Sequence, residues 1–362
     1  MIILFGGFLV GLLFYSYVLV DPNLTFVSHP LWVFFRERVI AIGYFQRETS
    51  WYIYVTLLLL AFIFHLFFIK RAKKITPFYI AVIVGVVLLA SYPLLSHDFF
   101  NYLFDAKIFT YYHQNPYLHK ALDFPRDPWL RFLQWTHRSY PYGPIFLIIS
   151  LVPSFLSFGK FALAFLFFKA TNIFFYLIAV HSLQKMNRKW AMIFATHPLI
   201  LIEGLVNGHN DMIALSLAII GIYYVMNKRA VWSRILLLFS GGIKYITLPI
   251  IFITRSRKLT NTLIFILQIG IIVYLSVQSE IQPWYFLGLF AYIPFFEDFL
   301  SRLNLFFAGL FFSYYPYIRL GGWDSFEKVN LKHIIIFIFL ILNLLYLSLI
   351  YLKPLKKKFF KR

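Results

Sequence analysis

The sequence predicts an all-α, polytopic integral membrane protein with about 10–12 transmembrane or re-entrant helices, and three observations predict it. Of its 362 residues 61% are hydrophobic and only 13% charged, whereas a soluble domain is about half apolar and a quarter charged. The mean hydropathy is +0.75. The formal charge of +20, from 34 Lys+Arg against 14 Asp+Glu, falls mostly in short clusters between apolar runs, the pattern of loops held on the cytoplasmic side of a membrane. A nucleic-acid partner is therefore not expected. With no cysteine, disulfides, thiolate metal sites and thiol redox chemistry are excluded.

A span needs about 20 apolar residues. The runs that approach this are 2–20, 51–69, 77–95, 161–183, 190–206, 211–226, 259–277, 284–296, 303–317 and 333–352. The first has neither a basic leader nor a small-residue cleavage site, so a retained helix is expected. Clusters at Lys70–Lys74, Lys185–Lys189, Lys228–Arg234 and Arg255–Lys258, with a basic tail over 353–362, predict that both termini are cytoplasmic. Two runs do not fit simple crossings. The run 235–253 has basic clusters at both ends and a Gly241-Gly242 break, which predicts a hairpin returning to the cytoplasmic side. The run 145–158 is short, flanked by Pro144 and carrying Pro153, and is expected to be re-entrant from outside. The charge rule leaves the longest polar interval, 96–142, outside; its Phe, Tyr and Trp content predicts a folded loop with helices along the membrane surface. The whole chain is read as one domain, 1–362.

Ser96-His97-Asp98 follows the third run. A helix capped near Ser96 puts Asp98, Tyr102 and Asp105 on one face, and its start favours an ionised Asp98. Such a carboxylate is a candidate general base; the alternative is a plain helix cap. Asn115-Pro116-Tyr117 is a turn signal, as is Tyr140-Pro141-Tyr142-Gly143-Pro144. His97, His113, His119 and His137 have no ligand spacing, so no metal is expected. In the middle of the chain Glu203 and Asn207-Gly208-His209-Asn210-Asp211 join two apolar runs. Asn210 and Asp211 can serve as caps of the next helix, but Glu203 lies inside an apolar run, where ionisable groups are costly and point to function. Lys244, after the glycine pair, needs an anion: a phosphate or Glu203. Gln282-Pro283-Trp284-Tyr285 opens a run where an aromatic belt is expected; Gln282 and Trp284 there also suit a sugar site.

In this order the segments resemble the polyprenyl-phosphate-sugar-dependent glycosyltransferases of the membrane-embedded GT-C fold class, with the nearest likeness to bacterial alpha-1,6-mannopyranosyltransferases that use polyprenyl phosphomannose. The likeness is carried by Asp98 with Tyr102, Asn115-Pro116-Tyr117, Tyr142-Gly143-Pro144, Gly208-His209-Asn210-Asp211, Lys244 before Pro249, and Gln282-Pro283-Trp284-Tyr285. It runs from about residue 90 to 290. The resemblance implies inverting transfer of one sugar, mannose by the nearest likeness, from a polyprenyl monophosphate to a glycan or glycolipid. The site is the outer face of the cell membrane, and no cofactor takes part. The base is then Asp98. Tyr102, Asp105, Glu203, His209, Asn210, Asp211, Gln282 and Trp284 are expected around the sugars, with Arg138 and Lys244 on the phosphate, because a departing phosphate needs cations more than an acid. A lipid-linked glycan flippase would also place charges near broken helices, but no internal repeat is visible. A ligase or polymerase acting on a lipid diphosphate would be expected to carry more outer-loop arginines than Arg126, Arg131 and Arg138.

Overall fold

Proline and the need to satisfy each backbone amide without water decide where the apolar runs bend. The computed structural model describes residues 1–24 and 26–359, with side chains to Tyr351. The expected basic tail lies outside the described side chains, and from residue 360 outside the described residues. In order the helices are α1 Ile2–Tyr15, α2 Pro30–Ile40, α3 Arg47–Arg71, α4 Pro77–Leu88, α5 Asp98–Thr110, α6 Pro144–Leu156, α7 Phe161–Met186 and α8 Arg188–Thr196. They continue as α9 Asp211–Met226, α10 Ala230–Ile243, α11 Lys258–Gln278, α12 Ile293–Leu300, α13 Asn304–Phe312, α14 Tyr315–Leu320 and α15 Phe326–Phe359. Among the described residues there is no strand, only an isolated bridge between Lys120 and Ser139. The fold is that of an all-α polytopic membrane protein.

Four helices, α3, α7, α11 and α15, are each long and apolar enough to cross a membrane. The run 190–206 is not one rod. Pro198 removes a backbone donor and crowds the preceding turn, so α8 stops at Thr196 and the chain resumes as a π-helix, Ile200–Val206, at 64° to α8. The His197 ring Nδ1 accepts from the Leu199 N–H at 3.1 Å, repairing part of the break. Run 77–95 is helical only to Leu88, since Pro93 excludes helix in the residue before it. Run 284–296 divides into a 3₁₀ stretch, Pro283–Tyr292, and α12, while 303–317 breaks between α13 and α14. Helix α2 has no counterpart among the expected runs, because Arg36, Glu37 and Arg38 interrupt its apolar pattern.

The molecule has two chemically distinct ends. At one, Glu297 of α12 accepts from Trp190 Nε1 at 2.6 Å and pairs with Lys189 at 2.5 Å, and Tyr351 of α15 donates to Asp298 at 3.3 Å. At the other, Lys332 near the start of α15 meets Glu280 at 3.0 Å. Helix α15 therefore runs from one end to the other. Helix α10 and the 3₁₀ run Tyr245–Phe252 form a hairpin whose arms return together: Arg234 Nη1 reaches the Ile253 carbonyl at 3.1 Å, and Ser240 donates to Ala214 at 2.7 Å, tying the hairpin to α9. Lys244 sits at its tip. Helix α6 lies alongside α5, with Phe146 against Tyr102 near one end and Ser154 bonded to Thr110 at 2.7 Å near the other. Both its ends thus meet the 96–142 segment, while Ile148, Val152 and Phe155 expose one apolar stripe.

Candidate functional site

Asp98 stands where four pieces of chain are held together. After α4, the irregular residues 89–97 are tied to the C-terminal cap of α1 by the Tyr92 N–H donating to Ser16 Oγ at 2.9 Å, and to the 207–211 turn by the Leu95 N–H donating to Asn207 Oδ1 at 3.0 Å. Ser96 Oγ then accepts from the Asp98 N–H at 3.3 Å as α5 begins. The turn itself is braced from α7, where Lys169 donates to the carbonyls of Leu205 and, at 2.8 Å, Val206, and Asn172 donates to Gly204 at 2.7 Å. Gly208 has φ +69°, and a Cβ there would come within 2.7 Å of the Phe99 ring. The turn can therefore close onto α5 only with glycine in this place.

A second close approach sets the opposite wall. The Gly143 N–H donates to the Ile243 carbonyl at 3.2 Å, and a Cβ on Gly143 would lie 2.0 Å from the Gly242 oxygen. Backbone contact between Tyr142-Gly143-Pro144 and Gly241-Gly242-Ile243 therefore places Lys244 beside Tyr142. Between these walls lies a cavity of about 810 Å³ lined by Asp98, Arg138, Lys244, Gln282, Trp284, Tyr285, Tyr142 and Trp323, among others. It is large enough for a sugar and a second ring, and its aromatic faces suit pyranoses.

The charges inside are paired. Asp98 Oδ1 is 3.7 Å from Arg138 Nη2, and its Oδ2 is 4.0 Å from the His209 ring Nδ1. Arg138 also donates to Tyr142 Oη at 3.3 Å and lies over the Trp135 ring at 5.2 Å. Lys244 pairs with Asp211 and not with Glu203: the hairpin tip rests on the first turn of α9. Glu203 is fully buried and instead accepts from Asn207 at 2.8 Å and Tyr314 at 3.0 Å, with His209 Nε2 at 3.5 Å. Burial lifts the Asp105 carboxyl to about 7, with Arg138 lowering it and Asp98 raising it. Burial likewise pushes the His97 imidazole, on the cavity wall, below its usual value.

Of the residues singled out from sequence, Asp98, Arg138, Lys244, Gln282 and Trp284 line the cavity. Tyr102, Asp105, Glu203, His209, Asn210 and Asp211 form a buried layer behind it; Tyr102 meets Asn210 Oδ1 at 3.5 Å. Glu280, at the head of the Gln282-Pro283-Trp284-Tyr285 segment, also lines the cavity, but sequence reasoning did not reach its partner Lys332, which donates to Glu280 at 3.0 Å and Gln282 at 3.2 Å, with its ammonium over Trp323 at 4.9 Å. A lone lysine at the edge of an apolar run was the available signal. Among the described residues no group of three or more acids, histidines or cysteines is arranged to hold a metal ion.

Ring-stacking faces and a carboxylate beside Arg138, set among helices long and apolar enough to cross a membrane, suit a multi-pass membrane glycosyltransferase. A family model described as alpha-(1->6)-mannopyranosyltransferase, N-terminal domain, matches residues 1–255, and the chain belongs to that family. It is therefore an α-1,6-mannosyltransferase, and flippase and ligase readings are set aside. The match takes in every site residue through Lys244, while Gln282 and Trp284 lie beyond it. No curated protein and no solved structure matches the chain.

Proposed function

We propose that the protein moves one mannosyl residue from a polyprenyl monophosphate to a glycan or glycolipid on the outer face of the cell membrane, with inversion and with Asp98 as general base. In this reading the whole chain is one catalytic domain, 96–142 faces outward, and both termini are cytoplasmic. The acceptor hydroxyl oxygen bonds to the anomeric carbon as its proton passes to Asp98, and the anomeric carbon–phosphate oxygen bond breaks with its electron pair leaving on the polyprenyl phosphate. Inversion to an α linkage requires a donor that is β-linked. Arg138 and Lys244 are the cations on the cavity wall for the departing anion; Trp284 and Gln282 offer a stacking face and a polar partner for a sugar.

The observation that carries the reading is Asp98 on the wall of a cavity that also presents Arg138 and Lys244. The test is mannosyl transfer in nanodiscs from β-linked polyprenyl phosphomannose to a mannan oligosaccharide, with the product anomer read by NMR. Wild type should give α-(1→6) product, and Asp98→Asn should lower kcat by about 10³-fold at unchanged expression, within the usual range for a general base. A β-linked product, or an Asp98→Asn enzyme with near-normal turnover, would sink it.

A further inference from the structure

Behind Asp98, His209 lies between two carboxylates. Its Nδ1 is 4.0 Å from Asp98 Oδ2 and its Nε2 is 3.5 Å from Glu203 Oε2. The ring is buried, and neither nitrogen has a hydrogen-bond partner. Its face stacks on Trp284 at 4.1 Å with an interplanar angle of 19°.

As carboxylates both neighbours can accept but not donate, and a neutral imidazole has a single N–H to offer. A ring carrying protons on both nitrogens satisfies both sides, and an indole face against it suits a cation. Glu203 cannot swing away to another task. Asn207 holds its Oε2 at 2.8 Å and Tyr314 its Oε1 at 3.0 Å. The charged groups around the pair are these: Arg138 faces the other oxygen of Asp98, Asp105 and His97 lie within electrostatic reach of Asp98, Lys169 holds the carbonyls of Leu205 and Val206 in the same turn, and Lys332 lies within electrostatic reach of Glu203. Distances of 3.5 and 4.0 Å are of the kind that tighten once substrate is bound.

We propose that His209 is the positioning residue for Asp98: a doubly protonated ring, braced by Glu203 and Trp284, that keeps the carboxylate ionised and aimed into the cavity. The inference rests on Asp98 being the base. His209 keeps both protons throughout; the acceptor's proton goes to Asp98 and afterwards to cavity water. Glu203, fully buried and off the cavity wall, acquires a function through His209.

The experiment measures kcat and KM against pH for wild type, His209→Gln, Glu203→Gln and Asp98→Asn in nanodiscs. His209→Gln should lower kcat about 100-fold, the scale of losing one preorganised electrostatic partner, with the donor KM within about threefold. Its acid limb should move to higher pH, because a carboxylate stripped of an adjacent cation protonates more readily. Glu203→Gln, whose amide oxygen can still accept from Asn207 while its NH2 donates to Tyr314 Oη, should cost about tenfold in kcat and move the alkaline limb to lower pH as the imidazolium loses its anion. If Asp98→Asn is inactive but both limbs stay fixed in the other variants, this inference fails alone. If Asp98→Asn turns over normally, the base assignment fails with it. Should His209→Gln not fold, the alkaline limb of Glu203→Gln decides.

Discussion

Two lysine–aspartate pairs in this protein have the same chemistry and opposite surroundings. Lys107 and Asp127 pair inside the 96–142 segment, their side chains 7% and 0% exposed. Asp127 also accepts from Tyr112 at 2.6 Å and from the Trp129 N–H at 2.8 Å, and the Lys107 ammonium lies 3.9 Å above the Trp129 ring. Lys244 and Asp211 pair at the hairpin tip, 20% and 5% exposed, with the lysine opening onto the cavity. An ion pair sealed by aromatic rings can only hold structure. One with a face on a cavity can exchange part of its partner's charge for a ligand's, so access to the cavity, and not pairing, separates the two roles.

The widest separation is expected from neutralising each lysine. Lys107→Met strands a buried carboxylate, which costs about 3–5 kcal/mol and should appear as a large drop in thermal midpoint in detergent, with activity lost through misfolding. Adding Asp127→Asn removes the stranded charge while leaving an acceptor for the Trp129 N–H, and should restore at least half of the loss. A Lys107→Met protein of normal stability with a raised donor KM would reverse the comparison.

Helix α5 sharpens the contrast within two residues. Lys107 has its acid, whereas Asp105, equally buried, has no ion-pair partner among the described residues, and burial lifts its carboxyl to about 7. Between its unfolded value of about 4 and about 7, the folded state binds more proton than the unfolded state. Stability therefore declines as pH rises through that window. The contribution is full below the lower value and reaches about 4 kcal/mol of loss above the upper one. Thermal midpoints measured from pH 5 to 8 should fall in wild type and stay level, in this component, in Asp105→Asn. Parallel curves would show that Asp105 is ionised in the folded protein.

How much of this was legible follows from the same physics. The cores of α3, α7, α9 and α11 stand within a few residues of the apolar runs, because length and hydropathy alone define a crossing. The breaks follow prolines such as Pro93 and Pro198, which the sequence displays but whose tilt depends on tertiary packing. Cavity-lining residues such as Asp98, Arg138, Lys244, Gln282 and Trp284 were nameable because charge or a short motif set them apart. Their pairings were not. With 45 Phe and 25 Tyr in the chain, lipid-facing and core-facing surfaces are both apolar, so periodicity gives no register between helices. Nothing local indicates that Lys244 meets Asp211, that His209 backs Asp98, or that Lys332, at the edge of the last run, reaches Glu280.

The smallest expected effect tests the open pair. Lys244→Gln removes the cation but leaves an amide that can still donate to Asp211. Because the lysine opens onto the cavity and the amide still donates to Asp211, the loss of stability should be smaller than in Lys107→Met, about 1–2 kcal/mol, and the thermal midpoint should move by only a few degrees. If Lys244 faces the donor phosphate, losing one charged hydrogen bond of about 1.5–3 kcal/mol raises the donor KM roughly 10- to 100-fold. The donor's affinity should also lose part of its salt dependence, since screening acts on the charge that was removed. The phosphate would then be left to Arg138, whose guanidinium is already shared with Asp98 at 3.7 Å. A Lys244→Gln enzyme with unchanged donor KM and salt dependence, but a midpoint lowered as far as in Lys107→Met, would place both pairs in the structural class and leave Arg138 as the sole cation for the leaving group.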